Sequence, residues 1–130
     1  MCPPELSGVG VDVVAWSRIR RFLESHAFEF LKRLLTPAEQ SAFRKSRSAL
    51  QFFARVFAAK EAYFKAAGDP GMDEARFREI ETRPGPGNHF VVGETKKNRW
   101  GKGIFFETAD GLGARVLIWE KGGFHELDLA

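Results

Sequence analysis

The sequence is poor in the features that mark secreted and membrane-spanning proteins. Its 130 residues include one cysteine, Cys2, so the chain offers neither an internal disulfide nor a thiolate zinc site. It lacks a charged-then-apolar leader, and it lacks an apolar run approaching about 18 residues. These absences predict a cytoplasmic protein in a reducing compartment, without membrane attachment.

Apolar and aromatic residues, in contrast, are plentiful. Hydrophobic residues make up 44% of the chain and include thirteen phenylalanines, which predicts a packed core. The length suits one domain over residues 1–130. A net charge of +3 suits an acidic protein partner or a phosphate-bearing ligand as well as it suits nucleic acid.

Residues 51–68 form the segment around which the rest of the chain is organised. They contain no proline and no internal glycine, which predicts a helix that ends at Gly68. At about 100° per residue, one face of this helix is an apolar stripe of Phe53, Val56, Phe57, Phe64 and Ala67. Lys60 projects from the middle of the stripe, and Glu61 lies at its edge, one turn before Lys65. Buried charges need an ion-pair partner, a metal or a ligand, whereas the alternatives are snorkelling of Lys60 and a surface pair of Glu61 with Lys65.

Residues 6–14 alternate valines with small or polar residues, which predicts a strand. Asp12 shares the open face of this strand with Gly8 and Gly10, where a ligand or another backbone can come close. The functional interpretation of Asp12 is a metal-binding carboxylate. The structural alternative is that Asp12 caps a turn or the next helix.

Three short helices are predicted between this strand and the central helix, over residues 17–24 and 28–35 and over Pro37–Lys45. The third begins with a capping box of Thr36 and Glu39, with Pro37 at its first position. The first carries Arg18, Arg20 and Arg21, which form either a solvated face or a docking surface for an acidic helix. His26 follows this helix and is expected at the surface.

The second half of the chain is predicted to be mainly strands, over residues 77–82 and 89–92 and a hairpin of 104–108 with 114–120. A basic loop around Trp100 contains Lys96, Lys97, Arg99 and Lys102. The order of strand, helices and further strands predicts an α+β fold with helices packed on a largely antiparallel sheet.

Two segments in combination resemble the signatures of the 4′-phosphopantetheinyl transferases, and the closer match is the short holo-acyl-carrier-protein synthase type. The first is GVGVD at 8–12 followed by Arg18 and Ile19, and the second is FAAKEAYFKA at 57–66. The stretch between them fits the same type at Phe30, Arg33, Leu35, Thr36 and Glu39. The resemblance implies transfer of 4′-phosphopantetheine from coenzyme A to a serine of an apo acyl carrier protein, with release of 3′,5′-ADP.

The resemblance also implies roles for individual residues. Asp12 and Glu61 would hold Mg²⁺ against the pyrophosphate of coenzyme A, and Glu61 and Lys65 would be catalytic. Lys60 and Lys65 would lie near the coenzyme A phosphates, and the helix with Arg18 and Arg21 would receive the acidic helix of the carrier protein. Short members of the family form trimers with active sites between subunits. The carrier protein served, from fatty acid, polyketide or another pathway, stays open.

The sequence departs from the family pattern at two coenzyme A contacts. The arginine that usually precedes FAAKE is replaced by Val56, with Arg55 one residue early, and the Ser-x-Ser/Thr-His strand motif is reduced to Thr108. Arg55, Thr108 and the basic loop are the candidates to replace these contacts. Two further readings stay open, a non-catalytic paralogue that binds coenzyme A or a carrier protein, and a small basic nucleic-acid-binding module.

Overall fold

The computed structural model describes residues 6–69 and 73–119, which form five helices and five strands. The helices are α1 (Trp16–Ser25), α2 (Phe28–Lys32), α3 (Pro37–Lys45), α4 (Ala49–Ala67) and α5 (Glu74–Glu79). The strands are β1 (Leu6–Ala15), β2 (Ile80–Pro84), β3 (His89–Glu94), β4 (Arg99–Glu107) and β5 (Gly111–Trp119). The strands form one antiparallel sheet in the order β1-β5-β4-β3-β2, which confirms the predicted fold class.

Helix α4 packs across one face of the sheet, chiefly on β1 and β5. Ser48 caps its start by accepting a hydrogen bond from the Gln51 backbone, and Gly68 ends it in the left-handed region at φ 69°. Ten of its nineteen residues are buried, including four small alanines that are fully enclosed. The helix is therefore buried around most of its circumference, more than the predicted stripe implied.

The glycines of β1 are the reason that α4 can lie so close to the sheet. A Cβ added at Gly8 would lie 1.8 Å from the carbonyl oxygen of Ala66, and one at Gly10 would lie 1.9 Å from that of Ala62. The open face of the predicted strand is thus filled by the helix backbone. Asp12 lies next along this face, so its side chain also points toward α4.

The opposite face of the sheet carries an exposed apolar surface. Val9, Val11 and Val13 on β1 are 52%, 47% and 49% exposed, although β1 is a regular strand of the sheet. Strand pairing places Leu117 beside Val9 and aligns Phe106 with Val13 through Gly113. We call these five apolar residues the outer sheet face.

Several predicted boundaries are wrong. Helix α5 replaces the first part of the strand predicted over 77–82, because Asp73 caps a helical turn that buries Phe77. Helix α2 ends at Lys32 instead of residue 35, and α1 begins at Trp16, one residue earlier than predicted and without a side-chain cap. The capping box of Thr36 and Glu39 is confirmed.

The hairpin strands are longer than predicted, over Arg99–Glu107 and Gly111–Trp119, with residue 120 of the predicted second strand outside the described residues. Part of the predicted basic loop is therefore strand. Within residues 6–69 and 73–119, no helix combines the length and the apolar character that crossing a bilayer requires.

Candidate active site

Three predicted site residues come together where β1 meets α4. The Lys65 ammonium lies 2.6 Å from Oδ1 of Asp12 and 3.3 Å from the carbonyl oxygen of Val11. Glu61 lies beside Asp12, whose carboxylate can accept a hydrogen bond from the Glu61 carboxyl when that group is protonated. Glu61 and Lys65 can both reach one residue of β1 because they are separated by one helical turn and share a face of α4.

Burial and the neighbouring Asp12 disfavour the charged form of Glu61. Burial raises the pKa of Glu61 to about 7, and the hydrogen bond and negative charge of Asp12 add to the rise. Arg18, at 3.9 Å from Glu61, and Lys65 act in the opposite direction and do not cancel it. Near neutral pH Glu61 is therefore partly protonated, and a cation bound beside the two carboxyl groups would displace that proton.

One oxygen of the cluster has no hydrogen-bond partner in the part of the chain that the structure describes. Oδ2 of Asp12 is buried and unpaired, although a buried carboxylate oxygen normally accepts at least one hydrogen bond. Two adjacent carboxylates with an unpaired oxygen fit a hard cation such as Mg²⁺, which commonly takes one or two carboxylates and fills its remaining positions with water and substrate phosphates. Residues 6–69 and 73–119 contain no cluster of three or more His, Cys, Asp or Glu residues that would form an all-protein site.

A cavity of about 300 Å³ opens beside the cluster, between α1 and α4. Its walls are apolar and include Ile19, Phe22 and Phe57, and Arg18, Arg21 and Glu61 also line it. The cavity therefore joins the carboxylate cluster to the basic face of α1. A ligand bound there would meet apolar walls and positive charge near the same two carboxylates.

His26 is part of this cavity and is half-buried, so the prediction of a surface histidine is wrong. Its ring stacks on Phe30 with centroids 4.8 Å apart, and its Nδ1 donates to the carbonyl oxygen of Phe22 at 2.9 Å. Sequence reasoning missed Phe22, Ser25 and His26 as cavity residues. The signal in the sequence was their spacing of three and four from Arg18 and Phe22, which places them on one face of α1.

Lys60 does not join the cluster. Its side chain is fully buried, and its ammonium lies 2.7 Å from Oε1 of Glu39 inside the core. The prediction that Lys60 binds the phosphates of coenzyme A is wrong in this structure, because the group is enclosed and already paired. Snorkelling of Lys60 to the rim is excluded for the same reason.

Comparison with known proteins identifies the family of the chain. The family model of the 4′-phosphopantetheinyl transferase superfamily matches residues 8–109, which contain the whole cluster and the cavity. The chain belongs to this superfamily. The match extends well past the two motifs that carry the resemblance in the sequence, into β2, β3 and β4.

Curated relatives within the superfamily are holo-[acyl-carrier-protein] synthases. That of Desulforudis audaxviator is 43% identical over 88 residues, which are 68% of this chain and 66% of the relative. That of Halorhodospira halophila is 42% identical over 76 residues, which are 58% of this chain and 60% of the relative. The chain thus spans slightly less than two thirds of the length of these relatives.

Solved structures of the superfamily share the fold over most of the chain. A holo-(acyl-carrier-protein) synthase from Bacillus anthracis, in complex with coenzyme A (3′,5′-ADP), superimposes with a TM-score of 0.72 at 26% identity, covering 89% of this chain and 98% of that one. The synthase from Helicobacter pylori, in complex with coenzyme A, has a TM-score of 0.68 at 25% identity, covering 85% and 98%.

The remaining predicted superfamily contacts lie away from the cluster. Arg55 is exposed over the ring of Phe105, at 5.7 Å, and precedes Glu61 by six residues, or about 9 Å along the helix axis. Thr108 lies in the turn between β4 and β5, where its backbone N–H donates to Gly111. Gly111 pairs with Ala15, so Thr108 lies near the end of β1, about 10 Å past Asp12 along the strand.

Two residues of the predicted basic loop, Lys97 and Arg99, form ion pairs with Glu94. Arg99 donates to Glu94 at 2.7 Å and to the hydroxyl oxygen of Tyr63, and Lys97 lies 3.6 Å from Glu94. The prediction of a basic loop is therefore wrong from Arg99 onward, where β4 begins, whereas Lys97 lies in the turn before it. Their charges are balanced by a buried carboxylate of β3.

Proposed function

We propose that the protein transfers 4′-phosphopantetheine from coenzyme A to a serine of an apo acyl carrier protein, with release of 3′,5′-ADP. The observation that carries this proposal is the convergence of Asp12, Glu61 and Lys65 beside a basic cavity, in a chain of this superfamily. Phosphoryl transfer requires little covalent catalysis by the protein. It depends mainly on positioning the reactants and on neutralising the charge of the transferring phosphoryl group.

In this reaction the serine oxygen attacks the phosphorus that carries the pantetheine arm. A new P–O bond forms to serine, the P–O bond to the 3′,5′-ADP phosphate breaks, and the serine proton leaves to a carboxylate or to water. Glu61 is the carboxylate that the cavity presents for this purpose. Lys65, whose side chain is 58% exposed, is positioned to neutralise or protonate the departing phosphate.

Mg²⁺ is the cofactor we assign, held by Asp12 and Glu61. The unpaired Oδ2 of Asp12 and the raised pKa of Glu61 support this assignment, because the first leaves an oxygen free to bind a cation and the second shows that Arg18 and Lys65 do not fully offset the burial of Glu61 beside Asp12. When bound, the ion supplies charge neutralisation for the phosphates of coenzyme A. The residues themselves orient the pyrophosphate and keep it next to Lys65. Arg55 and Thr108 stay our candidates for further coenzyme A contacts, away from the reacting group.

Arg18 and Arg21 are the residues we assign to carrier-protein docking. Both are exposed, both line the cavity, and they lie on α1 one turn apart. A carrier protein that presents an acidic helix would place its serine at the mouth of the cavity when it pairs with these arginines. The apolar wall of Ile19, Phe22 and Phe57 offers that helix a place for an apolar side chain.

We further propose that the chain is one domain over residues 1–130 that acts as a homotrimer in the cytoplasm. The outer sheet face supports self-association, because three valines in a row on one strand are about half exposed. A second and a third copy would cover this face and bring neighbouring subunits close to the cluster at β1. Nucleic acid and membranes are not among the partners we propose.

The test is transfer of the arm to a panel of apo carrier proteins with Mg²⁺, followed by intact-mass measurement. We expect a mass gain of one phosphopantetheine that Asp12→Ala and Glu61→Ala each abolish. Glu29→Ala is the control, since that carboxylate is 82% exposed and lies outside the cluster. A gain that survives Asp12→Ala or Glu61→Ala contradicts the assigned site. Coenzyme A binding without transfer to any carrier favours a non-catalytic binding paralogue.

A further inference from the structure

The ammonium group of Lys60 is fully occupied inside the protein. It lies 2.7 Å from Oε1 of Glu39, 3.0 Å from the carbonyl oxygen of Phe77 and 3.1 Å from that of Leu34. A lysine ammonium has three hydrogens to donate, and these three acceptors account for all of them. Lys60 therefore has no donor left for a phosphate.

Glu39, the partner of Lys60, also accepts hydrogen bonds from two backbone N–H groups. Oε1 also accepts from the backbone N–H of Thr36 at 2.9 Å, and Oε2 accepts from that of Thr82 at 2.8 Å. One carboxylate thus links the start of α3, strand β2 and Lys60 of α4. Its side chain is 3% exposed and that of Lys60 is 0% exposed, so water does not substitute for either partner.

Lys60 connects α4 to three other segments of the chain. Leu34 precedes α3, Glu39 lies within α3, and Phe77 belongs to α5, so three segments contact Lys60 from outside α4. Successive residues of a helix point about 100° apart, so the direction of Lys60 determines that of Glu61. A rotation of α4 that moved Glu61 away from Asp12 would have to break the bonds of Lys60.

We propose that Lys60 is a positioning residue, whose ion pair with Glu39 fixes the rotation of α4 and so holds Glu61 beside Asp12. The inference rests on the proposed function, since it assigns Glu61 to the metal site. It differs from the role that the sequence resemblance implied, in which Lys60 contacts phosphate. Lys65, one turn further on, is left as the lysine that faces the reacting phosphates.

Two equilibrium measurements separate the possible roles of Lys60. The first is the dissociation constant of coenzyme A in EDTA, and the second is that of Mn²⁺, followed by electron paramagnetic resonance at saturating coenzyme A. For Lys60→Met we expect coenzyme A affinity without metal to stay unchanged and the Mn²⁺ dissociation constant to rise by about tenfold or more, as for lost second-layer support of metal ligands. All measurements are made well below the melting temperature of each variant.

Tyr63→Phe is the matched control. Tyr63 is also buried on α4, and its hydroxyl donates to Oε2 of Glu94 at 2.8 Å, so the substitution removes a buried hydrogen bond on the side of β3. We expect it to lower the melting temperature and to leave both dissociation constants unchanged. If Tyr63→Phe weakened Mn²⁺ binding as much as Lys60→Met did, the effect would be general destabilisation and the inference would be overturned.

Other outcomes also decide the question. Weaker coenzyme A binding in EDTA would mean direct phosphate contact by Lys60, and unchanged Mn²⁺ binding would mean a role in stability alone; each overturns the inference. If Lys60→Met does not fold, Glu39→Asp shortens the partner by one methylene, and we expect the same selective loss of Mn²⁺ affinity. Wild-type protein that bound neither coenzyme A nor Mn²⁺ would contradict the proposed function first, and the inference with it.

Discussion

The Lys65 ammonium lies 2.6 Å from Oδ1 of Asp12, yet the side chain of Lys65 is 58% exposed and that of Asp12 is 10% exposed. The pair thus has one end fixed in the protein and one end open to solvent. Such a lysine can turn toward a bound phosphate without leaving a buried charge unpaired, because water already reaches it. This asymmetry distinguishes Lys65 from Lys60, whose partners are all internal.

The first prediction concerns Lys65. Lys65→Gln should lower kcat by about a hundredfold, because it removes a positive charge aimed at the departing phosphate. The free energy of unfolding should change by less than about 1 kcal/mol, since the ion pair is solvent-exposed at the lysine. Steady-state kinetics and urea unfolding measure the two effects. Lys32→Gln is the control, a lysine that pairs with Glu29 at 3.5 Å on α2 and should leave kcat unchanged. An unchanged kcat for Lys65→Gln would remove Lys65 from the mechanism.

The second prediction concerns the pH dependence of stability. The pKa of Glu61 is about 7 in the folded protein and 4.5 in its unperturbed state, so the folded state keeps the proton where the unfolded state has lost it. Stability is therefore present below about pH 4.5 and is lost as the pH rises toward 7, by on the order of 3 kcal/mol.

Urea unfolding of metal-free protein in EDTA, across this pH range, measures the loss. Glu61→Gln should remove the part of the pH dependence that Glu61 causes. The difference in free energy of unfolding between wild type and variant therefore reports on Glu61 and not on the histidines. Mg²⁺ with coenzyme A should restore stability near neutral pH, since the ligands bind only the folded state. A pH dependence identical in the two proteins would contradict the raised pKa of Glu61.

The third prediction concerns docking on α1. Replacement of Arg18 and Arg21 by alanine should raise the KM for the carrier protein by about tenfold, because two charges at a partner surface are lost. The KM for coenzyme A should stay the same. Arg20→Ala is the control, an exposed arginine of the same helix that does not line the cavity. Equal effects of Arg20→Ala would indicate general charge attraction instead of a docking site.

The fourth prediction concerns self-association through the outer sheet face. Val11→Asp should dissociate the oligomer, because it places a charge in the middle of an apolar surface that neighbouring copies cover. Light scattering coupled to size-exclusion chromatography gives the mass. Phe28→Asp is the control, since Phe28 is 50% exposed but lies on α2, among the helices. A wild-type monomer at all concentrations would rule out the proposed trimer.

The fifth prediction concerns the contact of β1 with α4. Gly10→Ala should destabilise the fold by about 1–3 kcal/mol or more, because the added Cβ would lie 1.9 Å from the Ala62 carbonyl oxygen and force the helix away. Gly87→Asn is the control, since Gly87 has open space around it and asparagine tolerates its φ of 59°. Urea unfolding measures the free energy of unfolding of both variants and of the wild type. A small effect at Gly10 would mean that α4 does not rest directly on β1.

The features that the sequence predicted correctly depend on neighbours along the chain. The capping box of Thr36 and Glu39 and the helix end at Gly68 involve residues within one helical turn. The spacing of Glu61 and Lys65 likewise needs only the helical period, and the strand with Asp12 needs only alternation. The α+β class follows from the order of such elements.

The boundaries that the sequence missed were decided by packing between elements. FREIET alternates as a strand would, but Asp73 caps a helical turn and Phe77 is buried in the core. Residues 77–79 therefore belong to α5, and β2 begins at Ile80. The outward direction of Val9, Val11 and Val13 was also not predictable, because alternation does not tell which face of a strand meets the helix. The glycines decided it, since they alone admit the backbone of α4.

By itself, the sequence determined the superfamily motifs, the helix ends and the residue types of the cluster, because these are local and periodic properties. Only the tertiary structure decided that Lys65 pairs with Asp12 at the cluster and that Lys60 pairs with Glu39 inside the core. That choice depends on a partner 21 residues away in the chain and on the complete burial of Lys60. A buried ammonium must find acceptors wherever the fold brings them, and no pattern along the chain specifies those positions in advance.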